Sequence, residues 1–475
     1  MTIADLAALA PYIILAITAV VVMLVIAFRR SHKLTVILTL SGFALSAASF
    51  PVAACVLPRQ VTPLLVIDLY ALFYGGLIVA ASFAVAALSY SYLDKQQGHK
   101  EEFYLLLIIA ALGCFVLAAA AHFASFFLGI ELLSVSLYAL SAYLRHSDRG
   151  VEAGVKYLIL AAVSSAFILF GMALVYAETG SMQFNTIASG AGIHGPILLA
   201  GICMILVGLG FKLAVVPFHM WTPDVYQGAP APVTAFIATA SKGAVFALLF
   251  RYFTLLDIRA HPGLFAIFTL SAISSMFAGN LLALFQNNVK RILAYSSISH
   301  LGYLLVTVLA SGPLAAAAAA FYLTAYFITT LGAFGVVTLL SEKARDADNL
   351  DDYQGLAWTR PGLAAVFTAM LFSLAGIPLT AGFVGKFYVM AAGVHSALWL
   401  VVIIMIINSV IGLFYYLRIV VAIFSPAKTE QALAHRLSLS GGTVLAALFT
   451  LLVWFGLYPG PVIEIIKHAI HFSRG

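Results

Sequence analysis

Four ionisable side chains lie deep inside apolar stretches of this sequence. Three are lysines, Lys212, Lys242 and Lys386, and the fourth is Glu131. A lysine or carboxylate at the centre of a bilayer costs roughly 2.5–3.5 kcal/mol, so such residues usually serve a function. One carboxylate cannot neutralise three lysines. At least one lysine therefore either lies in a hydrated cavity or gives up its proton, which is the chemistry of a proton relay.

Depth in the predicted helices supports this interpretation. Lys242 lies about ten residues beyond Pro232, which at about 1.5 Å per residue is half of a hydrocarbon core about 30 Å thick. Glu131, and His300 in YSSISHLGY, lie at similar depths in their own stretches. The structural alternative is that these charges form isolated ion pairs that hold helices together, such as Glu131 with Lys212.

Composition identifies the elements that must position these groups. Of 475 residues, 63% are hydrophobic and 9% are charged, and the mean hydropathy is +1.07. Repeated apolar runs of about 20 residues predict an all-α polytopic membrane protein and not a barrel. We count fourteen spans, near residues 4–28, 34–57, 64–92, 103–120, 122–144, 153–178, 196–221, 231–254, 262–285, 291–311, 314–341, 361–393, 397–424 and 440–466. The first run is too long for a cleavable signal peptide, and its basic residues follow it.

The basic residues outside the spans indicate the orientation. Sixteen lysines and arginines follow odd-numbered spans and five lie on the opposite side. This positive-inside asymmetry predicts that both termini lie outside. The net charge of +6 therefore belongs to loops at the membrane surface and does not indicate binding to nucleic acid. The polar stretch from Ser341 to Arg360 is then a cytoplasmic connection, which we interpret as a solvated loop.

Two spans contain helix breakers beside their lysines. Gly208 and Pro217 flank Lys212 in the seventh span, and Pro378 and Gly382 precede Lys386 in the twelfth. Proline lacks the backbone N–H that a helix needs, so we predict that helices 7 and 12 are discontinuous. Broken backbone at membrane depth persists only where protein or water satisfies it. The alternative is a proline kink used for packing alone.

The two broken spans are five apart, which suggests an internal repeat. A five-helix unit, spans 4–8 and then spans 9–13, would place equivalent helices in opposite directions, as in transporters with sites near the midplane. The predicted segments are residues 1–102 (three helices), 103–254 (first repeat), 262–424 (second repeat) and 425–475 (the last helix).

Three further residues are candidates, and the two histidines among them have two interpretations each. His219, at the end of the seventh span, is either an interfacial anchor or part of the relay. Lys156 follows Glu152 by four residues, the spacing of a surface ion pair. His122 begins the fifth span and is either a helix-end residue or an extension of a proton path. The cysteines and histidines show no spacing typical of metal ligands, and no phosphate-binding loop for NADH or ATP is present.

Four blocks of the sequence resemble a known family. They are KLAVVPFHMWTPDVYQGAPAPVTAFIATASK, FFLGIELLSVSLYAL, NNVKRILAYSSISHLGY and LAGIPLTAGFVGKFYV. Together they resemble the antiporter-like subunits of respiratory complex I, the NADH:quinone oxidoreductase, over essentially the whole chain. Within this family, the length of the chain, its fourteen spans and the lysine at position 386 are more similar to the N-type subunits than to the L-type or M-type subunits.

The resemblance implies a role for each residue. Glu131 would interact electrostatically with Lys212, and Lys156 would tune that pair. Lys242 would connect Lys212 to Lys386, which would face the exit path. His219 and His300 would lie on a hydrated polar axis along the middle of the membrane.

The implied function is a proton-translocating subunit of a bacterial inner-membrane enzyme complex, driven by quinone reduction elsewhere. NADH, FMN, iron–sulfur clusters and quinone would bind to other subunits of the complex. This subunit would bind no cofactor and no metal. The expected partners are an M-type antiporter-like subunit, a small K-type subunit and the lipid bilayer, with both termini on the periplasmic side. The alternatives are an Mrp-type cation/proton antiporter subunit, which would transport sodium without redox partners, and a scaffold whose charges only hold helices together.

Overall fold

The computed structural model describes residues 2–190, 195–343, 345–426 and 438–470. The basic residues Lys428, Arg436 and Arg474, which contribute to the predicted charge asymmetry, lie outside the described residues, as does the end of the predicted 425–475 segment.

The first half of the chain forms helices α1 to α13, with a short hairpin after α4. In order they are α1 (Ile3–Ala8), α2 (Ala10–Phe28), α3 (His32–Ala48), α4 (Phe50–Ala54), β1 (Arg59–Val61), β2 (Leu65–Ile67), α5 (Leu69–Asp94), α6 (Glu101–Ala119), α7 (Phe123–Ser141), α8 (Asp148–Thr179), α9 (Phe184–Gly190), α10 (Pro196–Leu213), α11 (Trp221–Gly228), α12 (Ala231–Phe236) and α13 (Lys242–Leu255). A π-helical segment, Ile237–Ser241, joins α12 to α13.

In the described residues of the second half, the chain continues with helices α14 to α22. They are α14 (Pro262–Leu284), α15 (Val289–Ala310), α16 (Gly312–Leu340), α17 (Leu356–Thr359), α18 (Pro361–Ala375), α19 (Ala381–His395), α20 (Trp399–Phe424), α21 (Leu439–Leu457) and α22 (Gly460–Ala469). Short 3-10 turns, Ile258–Ala260 and Leu350–Tyr353, precede α14 and α17.

The prediction of an all-α polytopic membrane protein is confirmed. Within the described residues, thirteen helical stretches are long and apolar enough to cross a membrane, and α18 is a shorter apolar helix. The predicted twelfth span is α18 and α19 together, separated by a break. The hairpin, in which Arg59 pairs with Ile67 in an antiparallel register, is a small departure that the sequence analysis did not predict.

Two groups of five spans pack in the same pattern. In the first group α6 packs on α7, α8 on α10 and α11, and α13 returns to α6; in the second, α14 packs on α15, α16 on α18 and α19, and α20 returns to α14. This is the arrangement predicted for two five-helix repeats, each with its fourth span broken.

Burial separates the inner helices from the outer ones. The stretch from α12 to α13 and helix α15 are buried along their most apolar windows, and α16 nearly so. Helices α8 and α20 instead expose large apolar side chains such as Phe170, Ile403 and Val410, which suit contact with lipid or other subunits. Lys242 and His300 on these inner helices are therefore enclosed by protein.

The segment from Ser341 to Arg360 is not the freely solvated loop that the sequence suggested. Asp348 accepts a hydrogen bond from Asn288 at 2.6 Å, and the backbone N–H of Leu350 donates to the carbonyl of Asn287. Arg345 forms two hydrogen bonds to Asp352, and these raise the pKa of Arg345 above its usual range. The segment is docked on the start of α15.

Candidate functional site

The seventh span is discontinuous immediately after its lysine. Helix α10 ends at Leu213, and Ala214 adopts a left-handed conformation with φ +60°. Pro217 lies in the non-helical stretch that follows, before α11 begins at Trp221. The Trp221 indole donates a 3.0 Å hydrogen bond to the carbonyl of Phe211, which also accepts from the backbone N–H of Ala214 at the end of α10.

The twelfth span is also discontinuous, but its lysine follows the break. Helix α18 ends at Ala375, Gly376 has φ +85°, and Pro378 lies in the connection to α19. Lys386 is the sixth residue of α19. The prediction of discontinuous helices 7 and 12 is thus confirmed, and the two lysines lie on opposite sides of their breaks.

The two glycines proposed as breakers lie inside helices instead. Gly208 is in α10, where a Cβ atom would lie 2.8 Å from the carbonyl oxygen of Ser164 in α8. Gly382 is in the first turn of α19, and its N–H donates to Ser373 Oγ at 3.0 Å. Both positions allow close contact between segments, since neither backbone has room for a side chain.

Lys212 and Glu131 lie near each other without forming an ion pair. Lys212 is 5% exposed and donates a 2.6 Å hydrogen bond to Ser134 of α7. Glu131, on the same helix, accepts a 2.5 Å hydrogen bond from Ser165 of α8. Among the described residues no lysine nitrogen lies within 4.0 Å of the Glu131 carboxylate. Glu131 and Ser134 are three residues apart on one face of α7, so the carboxylate lies near the Lys212 ammonium that Ser134 contacts.

Lys242 lies at the centre of the bundle. It is 1% exposed and is the first residue of α13, directly after the π-helical segment. Its ammonium donates a 2.7 Å hydrogen bond to Ser297 of α15 and lies 5.3 Å from the centre of the Tyr226 ring. π-Helical turns inside α-helices are frequent at functional sites. The sequence analysis did not anticipate this one.

Lys386 is held by the break in its own span. It is 4% exposed and donates 2.8 Å hydrogen bonds to the carbonyl of Ala375 and to Ser409 of α20. Ala375 is the last residue of α18, so its carbonyl is free for this bond and lies at the negative end of a helix dipole. Gly376 makes room for the lysine, since a Cβ there would lie 2.8 Å from Lys386 Cδ.

A series of hydrogen bonds and aromatic-ring contacts joins Lys242 to the region of Lys386. Tyr326 donates to the same Ser297 hydroxyl at 2.9 Å, and its ring centre is 5.4 Å from that of His300. The ring of His300 is 5.6 Å from that of Tyr303, whose centre is 5.5 Å from the Lys386 ammonium. His300 is buried in this series.

Tyrosine hydroxyls contact both ring nitrogens of His300. Nδ1 is 2.6 Å from the hydroxyl of Tyr322 in α16, and Nε2 is 3.2 Å from that of Tyr416 in α20. Tyr416 also forms a short hydrogen bond with Ser296. A neutral imidazole offers one donor and one acceptor, and hydroxyls can take either role, so both tautomers can be accommodated.

His219 lies in the non-helical stretch after α10. It is buried, and its Nδ1 atom has no hydrogen-bond partner among the described residues. This does not match the interfacial-anchor interpretation, since an anchor at the membrane surface would be exposed to water or headgroups.

Lys156 belongs to a second cluster of charges at one end of the bundle. It forms the expected pair with Glu152 at 2.6 Å and a second pair with Asp224 of α11 at 2.9 Å. Asp224 also pairs with Arg291 of α15 at 2.8 Å. Asp224, in the second helix of the broken seventh span, therefore connects α8 of the first repeat to α15 of the second.

Arg251 and Lys290, two of the basic residues counted outside the predicted spans, are buried. Arg251 is in α13 and forms a two-point pair with Asp68, the N-cap of α5, at 2.8 and 2.9 Å. Lys290 is fully buried in the first turn of α15 and donates to Asp346 at 2.7 Å and to the carbonyl of Ala229 at 2.6 Å. Both follow long apolar runs closely, and hydropathy alone cannot distinguish a loop from a protein-covered helix end.

A buried polar junction around Asn280 was also missed. The Asn280 amide donates to Tyr303 and Asn408, both at 3.2 Å, and its carbonyl oxygen accepts from Tyr415 at 3.0 Å. The available signal was the presence of two asparagines inside apolar spans. Among the described residues, no group of three or more His, Cys, Asp or Glu side chains could hold a metal ion.

Comparison with known proteins places this geometry in context. Residues 120–412 match the family described as "NADH:quinone oxidoreductase/Mrp antiporter, TM". The chain is 49% identical to NADH-quinone oxidoreductase subunit N of Ectopseudomonas mendocina (strain ymp), over 97% of this chain and 96% of that protein.

Solved structures share the fold. A chain of respiratory complex I from Thermus thermophilus is 33% identical with a TM-score of 0.82, covering 96% of this chain and 98% of that one. A chain of the Mrp complex from Dietzia sp. DQ12-45-1b has a TM-score of 0.87 at 20% identity, covering 99% of this chain and 97% of that one, and it supports the fold alone. With a family match over more than half of its length and a full-length relative at this identity, the chain belongs to the NADH:quinone oxidoreductase/Mrp antiporter membrane-subunit family.

Proposed function

We propose that this chain is the N-type membrane-arm subunit of a bacterial NADH:quinone oxidoreductase and translocates protons through its buried lysines. The 49% identity to a subunit N, against 20% to the Mrp chain, favours the oxidoreductase over the sodium antiporter. The chain is a subunit of a redox-driven translocase. The residues of this chain would carry out proton transfer, and the redox groups would belong to partner subunits. Its neighbours in the membrane would be an M-type and a K-type subunit.

The observation that carries the relay is the contact series from Lys242 to Lys386. The series passes through four buried residues, Ser297, Tyr326, His300 and Tyr303. Hydroxyls and an imidazole can each accept one proton and release another. Hydrogen bonds link Lys242, Ser297 and Tyr326, whereas ring contacts continue the series to Lys386, so proton transfer in that second part requires a side-chain movement or a bridging water.

Glu131 and Lys212 form the other end of the relay. A change of charge near Glu131 would alter the electrostatic stabilisation of protonated Lys212, and Lys212 would then bias Lys242. No hydrogen bond joins Lys212 directly to Lys242 in the described part of the chain. Transfer between them therefore requires a side-chain movement or a bridging water. Lys156 in α8 and Asp224 in α11 would set the local charge near the Glu131–Lys212 end of the relay. His219 would extend the proton path at the break between α10 and α11.

The repeat boundaries and orientation belong to the same proposal. We assign residues 1–102 to an N-terminal three-helix segment, 103–254 and 262–424 to the inverted repeats, and 425–475 to the last helix, supported by the matching packing of the two groups. The surplus of basic residues after odd-numbered spans supports termini on the periplasmic side.

The test uses membrane vesicles that contain the assembled complex. Lys242→Ala and Glu131→Ala should each reduce NADH-driven, quinone-dependent proton uptake strongly, while NADH oxidation by a soluble acceptor that bypasses quinone remains. Co-purification of the variant chain with the NADH-oxidising subunits reports assembly. Lys33→Gln, at an exposed site, is the matched control. Undiminished pumping in either variant of an assembled complex would falsify the relay. If both activities fell together because the complex did not assemble, the scaffold alternative would be correct.

A further inference from the structure

A large cavity lies among the helix ends on the side of the molecule that carries the basic surplus. It has a volume of about 870 Å³ and opens between the end of α5, the start of α6 and the end of α7. Its walls come from Leu93, residues 96–100, Glu102, Leu106, Ala139, residues 142–147 and Lys343. Leu106 lies five residues inside α6, so the cavity reaches about 7.5 Å below the helix end. That is the depth at which headgroups meet acyl chains.

Positive groups dominate the cavity wall. Five basic side chains line it, against one acid, Glu102, which Arg30 already pairs at 2.8 Å; the basic residues are His99, Lys100, Arg145, His146 and Lys343. Lys100 is also paired, with Asp94 at 3.4 Å. Within the described residues, the side chains of Arg145 and Lys343 have no hydrogen-bond or ion-pair partner. Two unpaired cations therefore face one cavity, which suits an anionic ligand.

An apolar stripe leads along α7 to the cavity. Leu128 and Val135 are 57% and 59% exposed, and Ala139, which is also exposed, lines the cavity itself. Their spacing of seven and four residues places them on one face of the helix. Leu106 and Leu144 continue the apolar surface inside the cavity. A free phosphate would use the cations and leave this stripe without a role.

We propose that this cavity binds the phosphate-bearing headgroup of an anionic phospholipid, with an acyl chain along the Leu128–Ala139 face of α7. Arg145 and Lys343 bind the phosphate, and the apolar wall holds the glycerol and the first methylenes. Basic pockets between membrane helices are suited to such headgroups. The site lies apart from the buried lysines, so it stands or falls separately from the proton relay.

The first experiment compares two lipids on the wild-type complex in detergent. A photoactivatable phosphatidylglycerol and a phosphatidylcholine with the same acyl chains are cross-linked, and the labelled peptides are identified. We expect the phosphatidylglycerol to label residues 128–147 well above the phosphatidylcholine, and excess inorganic phosphate to leave that labelling in place. Equal labelling by the two lipids overturns the proposal. Full competition by phosphate also overturns it, in favour of a soluble-anion site.

The second experiment removes the two unpaired cations. Arg145→Gln/Lys343→Gln should weaken phosphatidylglycerol binding about 30-fold, equivalent to about 2 kcal/mol at about 1 kcal/mol per basic residue. Arg29→Gln/Lys33→Gln removes the same charge from exposed residues outside the cavity and should leave binding within about twofold. An equal loss in both double variants would show general surface attraction and contradict the proposal.

Discussion

Each of the three lysines of the proposed relay donates a hydrogen bond to a serine on a neighbouring helix. The pairs are Lys212 with Ser134, Lys242 with Ser297, and Lys386 with Ser409, at 2.6 to 2.8 Å. A hydroxyl can accept a hydrogen bond from an ammonium and can donate one to a neutral amine. Serine therefore tolerates both protonation states of its lysine, whereas a carboxylate partner would favour the charged one. The shared geometry suits groups that must gain and lose a proton.

At this scale Ser297 is the most informative residue to change. Ser297→Ala removes the hydroxyl that both Lys242 and Tyr326 contact, whereas Ser297→Thr keeps it. A hydrogen bond to a charged group contributes about 1.5–3 kcal/mol, so we expect quinone-coupled proton uptake to fall about tenfold or more in the alanine variant. The threonine variant should retain most activity. Equal rates in Ser297→Ala and wild type would show that Ser297 is not a link.

At the scale of elements, the helix breaks position the lysines in different ways. Lys212 is in the last turn of α10, before its break, while Lys386 lies after its break and reaches back to the end of α18. The freed carbonyl of Ala375 can accept a hydrogen bond because no helical N–H takes it. The break thus supplies a ligand for a buried charge as well as a change of direction.

Gly376 is the residue that allows this arrangement. Its φ of +85° is unfavourable for any residue with a side chain, and a Cβ would meet Lys386. Gly376→Ala should lower stability by about 1–3 kcal/mol and reduce pumping by displacing the lysine. Gly362→Ala, where a Cβ would meet nothing within 4 Å, is the control. Thermal unfolding of the purified complex measures the first effect, and indistinguishable melting curves for the two variants would contradict it.

At the scale of the whole molecule, buried ion pairs join segments that are distant in sequence. Arg251 and Asp68 connect the second helix half of the eighth span to the N-terminal segment, and Lys290 and Asp346 connect α15 to the segment after α16. A buried pair contributes little net stability, but loss of one partner leaves an uncompensated charge. These ion pairs therefore mainly determine which segments pack against each other, and they contribute little to the free energy of folding.

The Arg251–Asp68 pair predicts a specific pattern of stability. Asp68→Asn alone should cost about 3–5 kcal/mol, because it leaves Arg251 buried without its carboxylate. The double variant Asp68→Asn/Arg251→Met should recover part of that loss. Yields and melting temperatures of the purified complex provide the comparison, and a double variant less stable than the single one would show that the pairing is not the cause.

The Lys290–Asp346 pair predicts how the 341–360 segment is held. Asp346→Asn weakens its attachment to α15, so protease cleavage within the segment should become faster. Glu342→Gln changes an exposed acid of the same segment and should not alter cleavage. Limited proteolysis of the complex, followed by peptide identification, measures both. Cleavage at the wild-type rate in Asp346→Asn would indicate that the backbone contacts of Asp348 and Leu350 suffice.

The sequence alone determined the class of the protein, the number of spans, the two broken helices and the buried lysines. These follow from local properties, since a run of apolar residues needs a membrane, and a proline removes a backbone donor wherever it stands. Tertiary structure decided which atoms meet. The serine partners of the lysines, the separation of Glu131 from Lys212 and the burial of Arg251 and Lys290 all depend on contacts between residues 23 to 183 positions apart. No periodicity in the sequence encodes such distances, because they arise when fourteen spans pack around a common interior.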